Sequence, residues 1–463
     1  MLFWSRGRDS EIRDSAERGA SRSRGTSSPA PFIHRQVTNA CDIDLAPAIW
    51  IHLLDWKCCG NDSHLIAPAM EAYPPQYVEH NLPLVLLSGL GEHEATDQTS
   101  TQPRKQESGA KIAIDARECR NEQSKQLLQE FQALDGSGCA WNGVALPGPP
   151  ASIRYRMKTI GRAYTLPARK AAPLPQSPGA EGSPTARNSE LHSPLSPLSP
   201  GSPVFPDGIF TPLWLSKHQQ QVPSLFLAIF DLNANEAAQD EQLKADINGI
   251  RNALSRSGFK TRLAVVLISD KSILHAPELE DRLASIRRAT TLDPKTGLFF
   301  MPPMSSQAEI ATFVQSMMST LQPGCVDYYR DLTKHARRKK ARGGPPPSVH
   351  SPVGGSSQVT STSGWNVRYE VKQGAFAEFR QEMDVAERHY TAAIEELFSL
   401  EGGVFETTAS WSPRWDEARL LCDALAMRVA RCQLWNGQTT GAAQSWQNYK
   451  LRMRDLVDRR GKR

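Results

Sequence analysis

No apolar run in this 463-residue chain approaches the ~18–20 residues that a membrane-crossing helix needs. The longest runs are Leu82–Leu87, Leu225–Phe230 and Leu263–Ile268. The eight cysteines contain no C-x-x-C, and their spacings suggest neither a disulfide frame nor a zinc knuckle; they fit reduced thiols. There is no P-loop, G-x-S-x-G, H-E-x-x-H or EF-hand spacing. The N-terminus has arginine but no apolar core, so it is neither a signal nor a transit peptide. Nor is the chain basic throughout. Its +5 net charge is local: residues 330–342 hold seven Lys/Arg and one Asp, and without them the chain would carry −1. That argues against a nucleic-acid binder using its whole surface, and the run lacks the interleaved aromatics of a single-strand binder.

Hydrophobic residues make up 39%, enough for a sizeable core, and the length suggests two to three domains. The 33 prolines gather in linkers. Residues 1–69 open Ser/Arg-rich and apolar-poor, which predicts disorder, or sequence upstream of a protein that starts at Met70. Residues 70–170 read as the first part of an α/β domain. They contain a buried strand at Leu82–Leu87, an amphipathic helix at Ser124–Leu134, and an alternating strand within Ser152–Lys170. Residues 171–212 form a linker with ten prolines and six Ser-Pro dipeptides, sites for proline-directed phosphorylation or a bare spacer. Residues 213–342 continue the α/β domain and end in a basic helix. Strands at Leu225–Phe230, Leu263–Ile268 and Leu298–Met301 alternate with helices at Asp240–Ser257, Pro277–Ala289 and Ser305–Leu321. This alternation predicts a Rossmann-like parallel sheet covered by helices. Residues 343–364 are a second linker, rich in Gly, Pro and Ser.

Residues 365–463 read as all-α. One helix carries Phe376, Phe379, Met383, Tyr390 and Leu397 at spacings of three and four. A second begins at Ser412-Pro413, an N-cap followed by proline at N1, and carries Trp415, Leu421, Leu425 and Val429. A third runs from about Ala442 through Trp446, Tyr449, Met453 and Leu456. Such helices resemble the start of an α-solenoid, with Trp415 and Trp446 as packing residues. The segment is expected to be the truncated opening of a longer domain, or to need a partner over its last apolar face, because its apolar stripes exceed what three helices can bury. The stripe of Phe376, Phe379, Met383 and Tyr390 is expected to pack on Leu421 and Leu425.

Two places could carry chemistry. Ser88-Gly89-Leu90-Gly91 follows a strand and offers G-x-G, but Glu94 stands at the third glycine position, where a carboxylate would repel pyrophosphate. Asp231 ends a strand, where α/β enzymes place ligand-binding groups. A nucleotide-binding α/β enzyme built on the 222–321 sheet is therefore the alternative reading. Arg337, Arg338, Lys339 and Lys340 could touch an anionic surface.

Residues 73–91 (YPPQYVEHNLPLVLLSGLG) and 368–398 (RYEVKQGAFAEFRQEMDVAERHYTAAIEELF), followed by WSPRWDEARLLCDALAMRVARCQLW, carry a resemblance. The second stretch resembles the opening of the foie gras domain of subunit 11 of the trafficking protein particle (TRAPP) complex. The E-F-R-Q-E-x-x-x-A-x-x-x-Y-x-x-A run is its most specific piece. The resemblance implies a non-catalytic scaffold with no cofactor, metal or catalytic residue. Its partners would be the other TRAPP subunits and, indirectly, a Rab-type GTPase, without specific nucleic acid. It implies action in ER-to-Golgi traffic and autophagy, from the cytoplasm, peripheral to Golgi and ER–Golgi intermediate membranes.

Overall fold

The computed structural model describes residues 73–91, 109–139, 153–167, 169, 209–232, 237–269, 279–343 and 362–460. The expectations for 1–69, and for the interiors of both linkers, lie outside these residues. Everything described belongs to one compact unit.

In chain order the strands are β1 (Leu84–Ser88), β2 (Ala110–Ala113), β3 (Arg156–Ile160), β4 (Ala163–Leu166), β5 (Leu225–Leu232), β6 (Arg262–Ser269) and β7 (Leu298–Met301). Five of them form a parallel sheet in the order β3-β1-β5-β6-β7, while β2 and β4 pair antiparallel beside it. The helices of twelve residues or more are α1 (Glu122–Ala133), α2 (Ala237–Arg256), α3 (Leu279–Thr290), α4 (Gln307–Lys340), α5 (Thr362–Phe379), α6 (Met383–Phe398), α7 (Pro413–Trp435) and α8 (Thr439–Arg459).

Strands β1, β5 and β6 are buried on both faces, which is why they read as continuous apolar runs, while the edge strand β3 is half-buried and alternates. Leu84, Leu86, Phe226, Ala228, Val265 and Leu267 face α2, α3 and the β2–β4 pair. Val85, Leu87, Leu227, Ile229, Val266 and Ile268 face α1 and α4. Helix α4 starts in a capping box of Ser306 and Glu309. Its 34 residues span about 50 Å at 1.5 Å per residue, which carries it from the sheet to the helical region.

Several boundaries differ from the sequence reading. The strand expected within Ser152–Lys170 is two strands, β3 and β4, in different sheets. The helix expected to stop at Leu321 continues to Lys340 despite Pro323, because Cys325, Tyr328 and Tyr329 are buried beyond the proline. The first linker gives way to packed chain by Ile209 and Phe210, each 1% exposed, and the second by Ser363. The expected continuous helix over 376–397 is broken into α5 and α6 at Arg380–Glu382, with Gln381 at φ 59°.

The stripes of α6, α7 and α8 bury one another, while Phe376 and Phe379 of α5 are buried against Tyr329 and Val222 of the α/β domain. Fifteen of the eighteen residues of α5 are buried, so this helix is enclosed on all sides and cannot be a solvent-facing solenoid helix. The apolar stripe of α8, from Ala442 to Leu456, is also buried.

Candidate functional site at the amino edge of the sheet

The strand order reverses between β1 and β5, and in open α/β sheets the crevice at the carboxyl end of that point takes ligands. Here the chain itself occupies it. Gly89 leaves β1 at φ 103°, and a Cβ there would collide with the Ile229 carbonyl oxygen and the Arg162 guanidinium. That guanidinium lies 4.9 Å over the Phe230 ring, and its Nη2 donates to the Arg117 carbonyl. Asp231 accepts from Asn121 Nδ2 at 3.1 Å, and Asn121 is the N-cap of α1. The G-x-G glycine thus admits an arginine side chain close to the strand end, and Asp231 orients a helix cap.

The opposite, amino edge carries the densest polar chemistry described. Glu378, fully buried on α5, accepts on Oε2 from Arg428 Nη1 at 2.7 Å, Tyr390 Oη at 2.7 Å and Asn81 Nδ2 at 2.8 Å. Arg431 Nη1 stands 3.4 Å from Oε1. These partners come from α6, α7 and the segment that leads into β1. The arginines reach back to that segment: Arg428 Nη2 donates to the Gln76 carbonyl at 3.0 Å, and Arg431 Nη1 to that of Glu79 at 3.1 Å. Arg431 Nη2 donates to His80 Nδ1, which leaves the ring proton on Nε2 to donate to the Cys139 carbonyl at 2.8 Å. Burial works against the charge on Arg428, but Glu378 and Tyr390 outweigh it, and its pKa is raised. On Arg431, farther from the carboxylate, burial dominates and the pKa is lowered.

Neighbouring contacts extend this junction along the amino ends of the strands. Gln381 donates to the Arg154 carbonyl at 2.8 Å and accepts from the Arg154 N–H at 3.1 Å, mimicking a ladder pair just before β3. Gln381 is left-handed because it ends α5 in a Schellman motif: its N–H bonds the Glu378 carbonyl at 2.8 Å and that of Glu382 bonds the Ala377 carbonyl at 3.0 Å. Before β5, Arg368 Nε donates to the Ile209 carbonyl at 2.6 Å, and Glu417 accepts from the N–H groups of Ile209 and Phe210 at 2.7 and 2.8 Å. Burial pushes the Glu417 pKa up to about 7, against those two hydrogen bonds. Phe379 stacks on Tyr329 of α4 with centroids 4.7 Å apart and planes within 4°.

Two comparisons give this junction a context. Residues 70–310, just over half the chain, match the family described as Trafficking protein particle complex subunit 11 N-terminal domain. The chain belongs to that family. Residues 414–463 match a second family, Foie gras liver health family 1. No curated protein matches the chain.

In this subunit 11 family member, the junction joins the two matched regions. Asn81, His80 and Gln76 lie in the first match, and Arg428 and Arg431 in the second. Glu378 and Tyr390 lie between them, in the run that carries the foie gras resemblance. Each residue of Glu378-Phe379-Arg380-Gln381-Glu382 acts at the junction. Arg380 bonds Thr333 Oγ1 of α4 at 2.7 Å and Glu382 at 2.6 Å.

The six stripe residues fall into two clusters. Met383, Tyr390, Leu421 and Leu425 share one core, with Trp415 and Trp446. Phe376 and Phe379 turn the other way, into a cluster with Trp214, Tyr329 and Trp365 against the α/β domain. The break at Arg380–Glu382 rotates the helix axis between the two pairs. In the basic run, Arg337 and Arg338 are exposed, Lys339 is partly covered, and Lys340 pairs with Glu370. The buried charges Glu378, Arg428, Arg431 and Arg368, and the half-buried Glu417, were not identified from sequence. On a helical wheel they fill the polar positions of α5 and α7, and only the near-absence of a polar face on those helices signals their burial.

Proposed function

We propose that this chain is a non-catalytic scaffold subunit of the TRAPP vesicle-tethering complex. It acts in ER-to-Golgi traffic and autophagy and supports activation of a Rab-type GTPase by other subunits. The observation that carries the reading is the Glu378–Arg428–Arg431–Asn81 network, which locks a helical segment to an α/β domain as one rigid platform. A scaffold needs fixed spacing between the surfaces it presents, and a buried charge network satisfied from several elements supplies it. The Arg162 side chain in the sheet crevice supports the same reading over a nucleotide-using enzyme. The subunit acts from the cytoplasm, peripheral to Golgi and ER–Golgi membranes, where exposed Arg337 and Arg338 supply contact with anionic lipid.

The test is nucleotide exchange on a Rab-type GTPase. The purified chain alone should leave GDP release at its basal rate, while depletion of the chain from native complex should weaken assembly. Acceleration of GDP release by the chain alone would overturn the proposal.

A further inference from the structure

Among the described residues three large apolar side chains are exposed, and two of them, Trp411 at 78% and Leu400 at 73%, lie in the loop between α6 and α7. Local structure explains both. Ser412 caps α7 and Pro413 opens it, which puts Trp411 at the position before the cap. A hydrophobic residue there often packs on the fourth residue of the helix, but that residue is Asp416, so the indole has no apolar staple to close on. Leu400 sits in the turn closed by the Gly403 N–H on the Ser399 carbonyl at 3.1 Å, with Gly402 at φ 76°. Val404 and Phe405 of the same loop are buried, so the exposure belongs to these two side chains and not to the loop as a whole.

This loop lies at the same end of the helices as the basic tail of α4. The Trp365 indole N–H donates to the Lys339 carbonyl at 3.1 Å, which joins the end of α4 to the start of α5. Ser363 Oγ donates to the Glu396 carbonyl at 3.2 Å, which joins the start of α5 to the end of α6, just before Leu400. Arg460, just past α8, donates to the Phe405 carbonyl at 2.7 Å and to Glu406 at 2.6 Å, both inside the loop. Arg337, Arg338 and Arg342 are exposed, and none forms an ion pair with a described residue. Nearby acids are held by other cations: Glu370 by Lys340 and His389, and Glu406 by Arg459 and Arg460. Glu401, exposed in the loop, opposes the arginines with one charge.

Building on the peripheral membrane reading above, we propose that this end of the helical segment docks on an anionic lipid bilayer, with Trp411 and Leu400 inserted below the headgroups and Arg337, Arg338 and Arg342 against the phosphates. A bilayer offers the two chemistries in layers, anionic at its surface and apolar beneath. Side chains that protrude from a loop reach the lower layer, and arginines on a helix end stop at the upper one. Tryptophan suits that boundary, because its ring is apolar and its N–H finds a polar partner there. Among the described residues no helix is long and apolar enough to cross a membrane, so insertion is confined to these side chains.

Co-sedimentation of the purified full chain with phosphatidylcholine vesicles, with and without phosphatidylserine, tests this. Wild type should bind the vesicles that contain phosphatidylserine. Trp411→Ala should weaken that binding about tenfold or more, for the ring area it no longer removes from water, and Leu400→Ser should weaken it in the same direction. Both variants should keep the wild-type circular dichroism and Tm, since neither side chain is packed. Arg337→Gln/Arg338→Gln should cost about fivefold per arginine and reduce the salt dependence. Vesicles with brominated acyl chains should quench the tryptophan fluorescence of wild type, and the quench should shrink in Trp411→Phe, which keeps an apolar ring. A wild-type chain that ignores phosphatidylserine vesicles would overturn this docking and the peripheral membrane reading together. Binding that falls in the arginine variant but is unchanged in Trp411→Ala and Leu400→Ser would overturn the insertion alone. So would a Trp411→Ala chain that binds vesicles normally but captures fewer TRAPP subunits, which would make this end a protein interface.

Discussion

Replacing Glu378 by glutamine removes one negative charge and keeps the side chain's shape. In the native fold that carboxylate faces two arginines that are 3% and 1% exposed, a buried tyrosine hydroxyl and a buried asparagine amide. Removing one partner of a buried ion pair costs about 3–5 kcal/mol, because the remaining charge stays desolvated. The lower end applies here, since Arg428 keeps the Gln76 carbonyl, and Arg431 keeps the Glu79 carbonyl and His80. At about 2 °C per kcal/mol, the value for larger domains, Tm should fall by about 6 °C. Because Asn81 ties the network to the segment before β1, calorimetry should show one transition for wild type and two for the variant, with the helical segment melting first. Tyr390→Phe removes one neutral donor from the same oxygen and should cost about 1 kcal/mol, or about 2 °C. A Glu378→Gln protein that melts in one transition within 1 °C of wild type would refute the reasoning.

Three other perturbations have defined outcomes. Gly374→Ala places a methyl 2.6 Å from the Tyr390 ring, which cannot retreat while its hydroxyl bonds Glu378; overpacking should exceed the roughly 1 kcal/mol gain in helix propensity, and a higher Tm would count against it. Phe379→Asp buries a charge where a ring now stacks on Tyr329; it should unfold the helical segment, at several kcal/mol, and unchanged melting would sink the assignment. Glu417 has a folded pKa of about 7 against an ordinary 4.5, so the folded state binds the proton more tightly. Stability should therefore fall as pH rises from about 4.5 to about 7, by about 3 kcal/mol from this group, and stay level above. Wild-type melting measured across that range should slope downward, and Glu417→Gln should flatten the slope.

The sheet was legible because strands buried on both faces must be apolar throughout, and β5, β6 and β7 show that pattern plainly. The cap at Ser412-Pro413 marked α7 to the residue. Other features depended on contacts far apart in sequence. A proline at 323 usually ends a helix, but burial of Cys325, Tyr328 and Tyr329 beyond it favours continuation. Gln381 takes the left-handed position of a Schellman motif that ends α5, with no glycine to mark it in the sequence, and its amide then pairs with Arg154, 227 residues away. The same long-range origin hid the junction. Glu378 and Arg428 look like solvated residues until their helices prove to be enclosed. The excess of apolar residues in the helical segment was a real signal, and the chain's own α/β domain covers the part that α5 presents as Phe376 and Phe379.

The most direct measurement is a tagged pull-down of the full chain from native extract, with mass spectrometry of the co-purifying proteins, in wild type and in Glu378→Gln. Wild type should recover other TRAPP subunits and the variant fewer, because the platform that would space their docking surfaces has loosened. A wild-type chain that recovers none of those subunits would contradict the scaffold reading.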